Sequence, residues 1–232
     1  MFRSRTRSRL GAVLIAVAAL LMLSAGSVAA DTAPGGGGTF TQNGTTGDVW
    51  SASCTPNGDD TTACEERGLS VFTGRMSDSI SHATHRNQVC VYLSTYTADD
   101  ATGELVGDPV FESGCAVDLA ASTVTVGKDL TSVRLAATTI EVNQFVCDKE
   151  ACEPGPSRDV RVVGTWTGFG PTYTSKYRSS TDDGVCRSHE SGKGSSREAS
   201  FAGSVDGTTF HGETYASIAS GKFTFRSRCL EV

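Results

Sequence analysis

The chain is predicted to be all-β, an antiparallel sandwich or barrel, and three features of the sequence carry that prediction. Apolar residues alternate with polar ones, as at Val89-Cys90-Val91-Tyr92-Leu93-Ser94, with the period of two that a half-buried strand requires. Turn-forming clusters such as Thr55-Pro56-Asn57-Gly58-Asp59-Asp60 punctuate these runs about every 8–12 residues. Beyond residue 30, no stretch of helical length repeats its apolar residues at the helical period.

The first thirty residues read as a targeting segment. Arg3, Arg5, Arg7 and Arg9 make a basic start, Leu10 to Leu23 is an apolar run broken by Gly11, and Val28-Ala29-Ala30 offers small residues for cleavage before Asp31. That run is shorter than the ~18–20 residues of a membrane span, so the expectation is secretion with no membrane insertion after cleavage. Residues 31–47, with four consecutive glycines at 35–38, offer little to bury and read as a flexible leader.

Structure is then expected from Val49-Trp50. Cys54 and Cys64 flank the first turn, Leu69-Ser70-Val71-Phe72-Thr73 reads as one strand and Val89 to Ser94 as the next. The turn Ala98-Asp99-Asp100-Ala101-Thr102-Gly103 sends the chain back through Leu105 to Phe111 and Cys115, a hairpin that brings Cys90 and Cys115 within bridging distance. Past residue 120, Ser122 to Val126, Val133 to Leu135 and Ile140 to Val142 read as short strands. A tight acidic loop joins Cys147 to Cys152, and Glu153-Pro154-Gly155-Pro156 is expected to break the pairing. Val160, Val162, Gly164 and Trp166 share one strand face, Gly168-Phe169-Gly170-Pro171 reads as a turn, and Tyr173, Ser175 and Tyr177 alternate after it. Asp182-Asp183-Gly184 turns the chain toward Cys186. Ala199 to Val205, Phe210 to Ile218 and Lys222 to Cys229 are the remaining strands. In the last, Phe223, Phe225 and Cys229 occupy one face and Lys222, Thr224, Arg226 and Arg228 the other.

An internal repeat organises this list. Each half carries a close cysteine pair, a Val-Cys (Val89-Cys90 and Val185-Cys186) and a closing Phe-x-Ser-x-Cys, at Phe111 to Cys115 and at Phe225 to Cys229. The expectation is two tandem related β halves, 48–120 and 121–232. Eight cysteines in an exported chain read as disulfides, and the repeat pairs them as Cys54–Cys64, Cys90–Cys115, Cys147–Cys152 and Cys186–Cys229. Such bridges offset a modest Val- and Ala-rich core by ~2–4 kcal/mol each.

Charge narrows the partners. Twenty Lys and Arg stand against twenty-six Asp and Glu, a net charge of −6. Loss of residues 1–30 removes four arginines and no acid, which moves the balance to −10. An acidic surface repels phosphate backbones and anionic headgroups, so no nucleic-acid partner is expected.

Chemistry is thinly marked. No Cys-x-x-Cys exists, His82 and His85 would face opposite sides of a strand, and no metal or other cofactor is expected. His189-Glu190 and His211-Gly212-Glu213 each set a base beside a carboxylate and, with Asp182 or Asp183, sketch a composite hydrolase site. The acidic pairs Asp59-Asp60, Asp99-Asp100 and Asp182-Asp183 fall at turns, where Asp is favoured for backbone reasons. Tyr92, Tyr96, Tyr173 and Tyr177 lie on Ser/Thr-rich strands and suit stacking on sugars where exposed, while cross-strand packing explains them equally well.

Gly164-Thr165-Trp166-Thr167-Gly168 resembles the Gly-x-Trp strand of lipocalin- and avidin-like barrels. In those families the motif lies on an early strand, and its tryptophan closes one end of a ligand cavity. Here 64 residues follow Gly168, too few for most of a barrel, and the bottom-up reading of Trp166 is a core residue. The functional expectation is therefore a secreted, disulfide-stabilised β protein that binds an extracellular ligand, carbohydrate or protein, or serves in the cell envelope. The alternative is an extracellular hydrolase with a His/carboxylate site, with or without a metal. No catalytic residue is assigned.

Overall fold

A computed structural model describes residues 37–147, 152–182, 184 and 186–229; the targeting segment lies outside the described residues. Eleven strands lie among the described residues: β1 Gly37–Pro56, β2 Thr61–Asp78, β3 Thr84–His85, β4 Gln88–Asp99, β5 Leu105–Ala116, β6 Val124–Val126, β7 Ser132–Cys147, β8 Cys152–Asp182, β9 Cys186–Val205, β10 Thr208–Thr209 and β11 Glu213–Cys229. A single 3₁₀ turn, Lys128–Leu130, stands between β6 and β7.

The strands form one continuous antiparallel sheet. Each long strand pairs with the next long strand in sequence: β1 with β2, β2 with β4, β4 with β5, β5 with β7, β7 with β8, β8 with β9 and β9 with β11. The last then pairs with the first, from Gly37 opposite Arg228 to Ala52 opposite Glu213, so the path of pairings returns to its start. The expected halves, 48–120 and 121–232, share this sheet: β1 and β11 are joined along most of their length, and β5 is paired to β7.

Alternation decides what is inside. Val49 on β1, Leu69 and Val71 on β2, and Val89 and Val91 on β4 share the inward face. Val133, Leu135, Ile140 and Val142 of β7, Val160, Val162 and Trp166 of β8, and Ala216 and Ile218 of β11 complete it. These side chains are close to fully buried and form one cluster, a core of the Val-rich kind that a strand surface favours.

Three disulfides tie adjacent strands: Cys54–Cys64 joins β1 to β2, Cys90–Cys115 joins β4 to β5 and Cys147–Cys152 joins β7 to β8. They are the pairs expected from the cysteine order. Cys186 is disulfide-bonded as well, and the register sets it opposite Cys229. These bridges mark an oxidising compartment. Among the described residues no helix is long and apolar enough to cross a membrane.

The sequence underestimated strand length in three places. Gly37 to Gly47, read as flexible leader, is the first half of β1; the whole stretch pairs with β11, and from Phe40 onward it pairs with β2 as well. Pro154 and Pro156 do not end the pairing, because β8 there has β7 on one side only and a bulge lies opposite, between Asn143 and Phe145. Gly168-Phe169-Gly170-Pro171 is likewise a bulge, between Phe169 and Tyr173, inside a strand of 31 residues.

Candidate binding surfaces

The Gly-Thr-Trp-Thr-Gly strand explains how the core is closed at one end. Trp166 is fully buried and packs its ring on Phe201 at 4.7 Å between centroids, and Phe201 packs in turn on Phe210 at 4.9 Å. A Cβ on Gly164 would lie 2.5 Å from the Phe201 ring, and one on Gly168 would lie 2.3 Å from the Leu130 carbonyl oxygen. The two glycines therefore admit an aromatic ring and the 3₁₀ turn, whose Leu130 is buried over the core. The Trp166 indole N–H has no partner among the described residues. In this chain the motif is a packing device.

Beyond that layer five strands continue without β4, β5 or β7. The last register pairs of those three on this side are Phe72 with Gln88, Val89 with Ala116 and Ser132 with Thr167. The upper parts of β8, β9, β11, β1 and β2 form a wall projecting past the core. Because β1, β9 and β11 pair here without a register shift, side-chain parity carries straight up from the core. Residues that continue its inward face are even on β8 and β11 and odd on β1, β2 and β9.

That continued face is cationic. One cross-strand row reads Arg75, Asn43, Lys222, Lys193 and Lys176, each opposite the next. The next row ends on Arg178, the one above it carries Arg226 and His189, and the outermost carries Arg228, Arg187 and Asp182. Arg197 stands at the foot of the wall, where its Nε donates to the Gly170 carbonyl at 3.1 Å. Asp182 is the only acid on this face among the described residues. It accepts from Arg187 at 2.7 Å, and that hydrogen bond holds its carboxyl below the usual carboxylate range. Arg75, Lys193, Lys222, Arg226 and Arg228 are exposed and make no ion pair among the described residues, and the same holds for Lys176 and Arg178.

Between the cations lie hydroxyls tied across strands. Thr41 meets Ser77 at 2.6 Å, Thr45 donates to Ser220 at 2.9 Å, Thr174 meets Ser195 at 3.3 Å and Ser180 meets His189 Nδ1 at 2.8 Å. Such pairs fix the surface on which the charged side chains stand. The opposite face of the wall is aromatic: Phe223 lies 6.3 Å from Phe40 and 6.4 Å from Tyr177. The alternation read from the last strand is real, but its sense is unexpected: the basic side chains continue the inward face and the phenylalanines point outward.

The other candidate residues do not converge. His189 sits high on the wall opposite Arg226, whereas His211 precedes the far end of β11 at Glu213. Thirteen residues of strand separate those positions, roughly 40 Å, so the composite hydrolase site sketched from sequence is not assembled. His85 pairs instead with Asp118 at 2.9 Å, which lowers the Asp118 carboxyl. Asp59, Asp99 and Asp100 accept hydrogen bonds from Thr61, Thr102 and Thr62 within the lower turns, and no group of three or more metal-ligating side chains occurs among the described residues.

The tyrosines split in the same way. Tyr92 stacks on Trp50 at 5.2 Å, and the Tyr96 hydroxyl donates to Glu66 at 2.9 Å; burial and then that carboxylate push the hydroxyl up. Tyr173 and Tyr177 are exposed, as is Tyr215, which the sequence did not single out. At the end away from the wall a polar cleft of ≈ 610 Å³ opens between Ser53, Thr55, Glu65, Thr95, Thr97 and Asp108. Comparison with protein-family models, curated proteins and solved structures finds no match to this chain.

Proposed function

We propose that this chain is an exported binding protein rather than an enzyme, in which eight strands close into a barrel that serves as scaffold and the wall above it is the recognition surface. One observation carries the reading. Five strands run on past the last core layer, where Met76 is nearly fully buried but most side chains stay part-exposed or exposed, yet β1, β9 and β11 keep full register and the strands carry cross-strand hydroxyl pairs. A sheet held in shape beyond its own core gains contact area at an entropic cost of ~1–2 kcal/mol per ordered residue, which burial does not offset there. Three disulfides suit an extracellular setting, and each staples two strands from the same half of the chain, as a duplicated four-stranded unit would have them.

The test removes the β8 and β9 parts of the wall, with Lys176, Arg178, Arg187 and Lys193, and keeps the barrel. Residues 174–195 are replaced by an Asn-Gly turn, so that Tyr173 and Ser196, opposite each other in the register, flank a two-residue hairpin; Cys229→Ser avoids a stranded thiol. Purified protein is co-sedimented with cell-envelope material of the source organism, and Trp166 fluorescence reports the core. The expected result is binding by the intact protein and none by the shortened one at unchanged core fluorescence. Equal binding by both would refute the wall as the recognition surface.

A further inference from the structure

We infer that the inward-continuing face of the wall binds an acidic polysaccharide, a partner class that rests on the wall being the recognition surface. The chain carries a net charge of −6, so a basic face is not a by-product of composition. Among the described residues nine cations, Arg75, Lys176, Arg178, Arg187, Lys193 and Arg197 with Lys222, Arg226 and Arg228, share it with one acid, Asp182. Lys222, Lys193 and Lys176 are direct cross-strand neighbours, an arrangement that is destabilising unless an anion lies over it. From Arg187 to Arg197 the face extends roughly 33 Å along β9, and from β2 to β8 it spans roughly 19 Å across. That area suits an extended polymer better than a single small anion.

The lining selects among polyanions. Hydroxyls of Thr39, Thr41, Thr224, Ser191 and Ser195 alternate with the cations, while every aromatic of the wall stands on the other face. Single-stranded nucleic acid is held by bases stacking on aromatic side chains, and membrane surfaces are held by apolar groups beside the basic ones. Neither is provided. Cations interleaved with hydroxyl groups match the anionic groups and sugar hydroxyls of an acidic glycan.

Binding of labelled heparin, neutral dextran, a DNA oligonucleotide in single- and double-stranded form, and phosphatidylglycerol vesicles is measured at 50 and 500 mM NaCl. The expected result is heparin binding at 50 mM that weakens at least ~10-fold at 500 mM, with no binding to dextran and weaker binding to DNA and vesicles. Lys193→Glu with Lys222→Glu is expected to weaken heparin binding at least ~10-fold. The milder Lys193→Gln with Lys222→Gln gives a smaller loss and guards against misfolding, and exposed Arg134→Glu, away from the wall, leaves binding unchanged. No heparin binding at 50 mM, DNA or vesicles bound as tightly as heparin, or equal loss in the Arg134 variant would overturn the inference. If the shortened protein loses envelope binding while the lysine variants keep it, the wall stands as recognition surface and the acidic glycan falls.

Discussion

Replacing the middle lysine of the cross-strand row, Lys193→Gln, is expected to stabilise the free protein. Lys193 lies directly opposite Lys222 on one side and Lys176 on the other. Two unit charges ~5–7 Å apart in water repel by ~0.6–0.8 kcal/mol, so the middle residue feels two such terms, a little over ~1 kcal/mol in total. At 10 mM salt the Debye length of ~30 Å leaves most of this in place, while at 1 M the ~3 Å length removes nearly all of it. Native-state hydrogen exchange of the upper β9 and β11 amides, measured for wild type and variant at both salt concentrations, reads the effect where it acts. Slower exchange in the variant at 10 mM, converging with wild type at 1 M, is the expected outcome. Faster exchange in the variant, or a difference that ignores salt, would show that the lysines are held by partners and that the face is not an unfilled cationic surface.

Other perturbations address the scaffold. Trp166→Ala should cost about 3–5 kcal/mol in denaturant unfolding, because it empties a fully buried site against Phe201; Trp166→Phe should cost less, since the N–H it removes has no partner among the described residues. Asp48 accepts a hydrogen bond from Ser70 at 2.5 Å, but burial raises its carboxyl above the usual carboxylate range. A raised folded-state value means that the stability it contributes is complete below the unfolded value, about 4, and is lost as pH rises through the folded one. Asp48→Asn should therefore melt higher than wild type at pH 7 and match it near pH 3; parallel melting curves across that range would contradict the assignment. Arg158 binds Glu112 through two nitrogens, at 2.6 and 3.0 Å, and Asp206 at 2.7 Å. A double-mutant cycle of Arg158→Met with Glu112→Gln should give a coupling of about 1 kcal/mol, reduced by exposure.

Strand type was legible where one side chain in two is buried. Leu69 to Thr73, Val89 to Ser94 and Val160 to Trp166 alternate because one of their faces meets the core, and each lies within a strand. Ser188 to Ser196 and Ala219 to Gly221 give no such signal: neither of their faces reaches the core, so small and polar residues are tolerated on both. Those are the wall segments, and the recognition surface lies in the part of the chain that periodicity does not mark. Its charge was equally hidden, because Arg75, Lys176, Lys193 and Lys222 are far apart in sequence and meet only through register.

By itself the sequence determined strand type, the alternation along each strand, and the three bridges between neighbouring strands, since each depends on residues close along the chain or on the order of the cysteines. Only the tertiary structure decided that the last strand returns to the first, that the phenylalanines of β11 face outward, and that cations from four strands stand side by side. Parity is local, but which parity points inward is set by where the core lies. A row across a sheet is built from register, which no single strand contains.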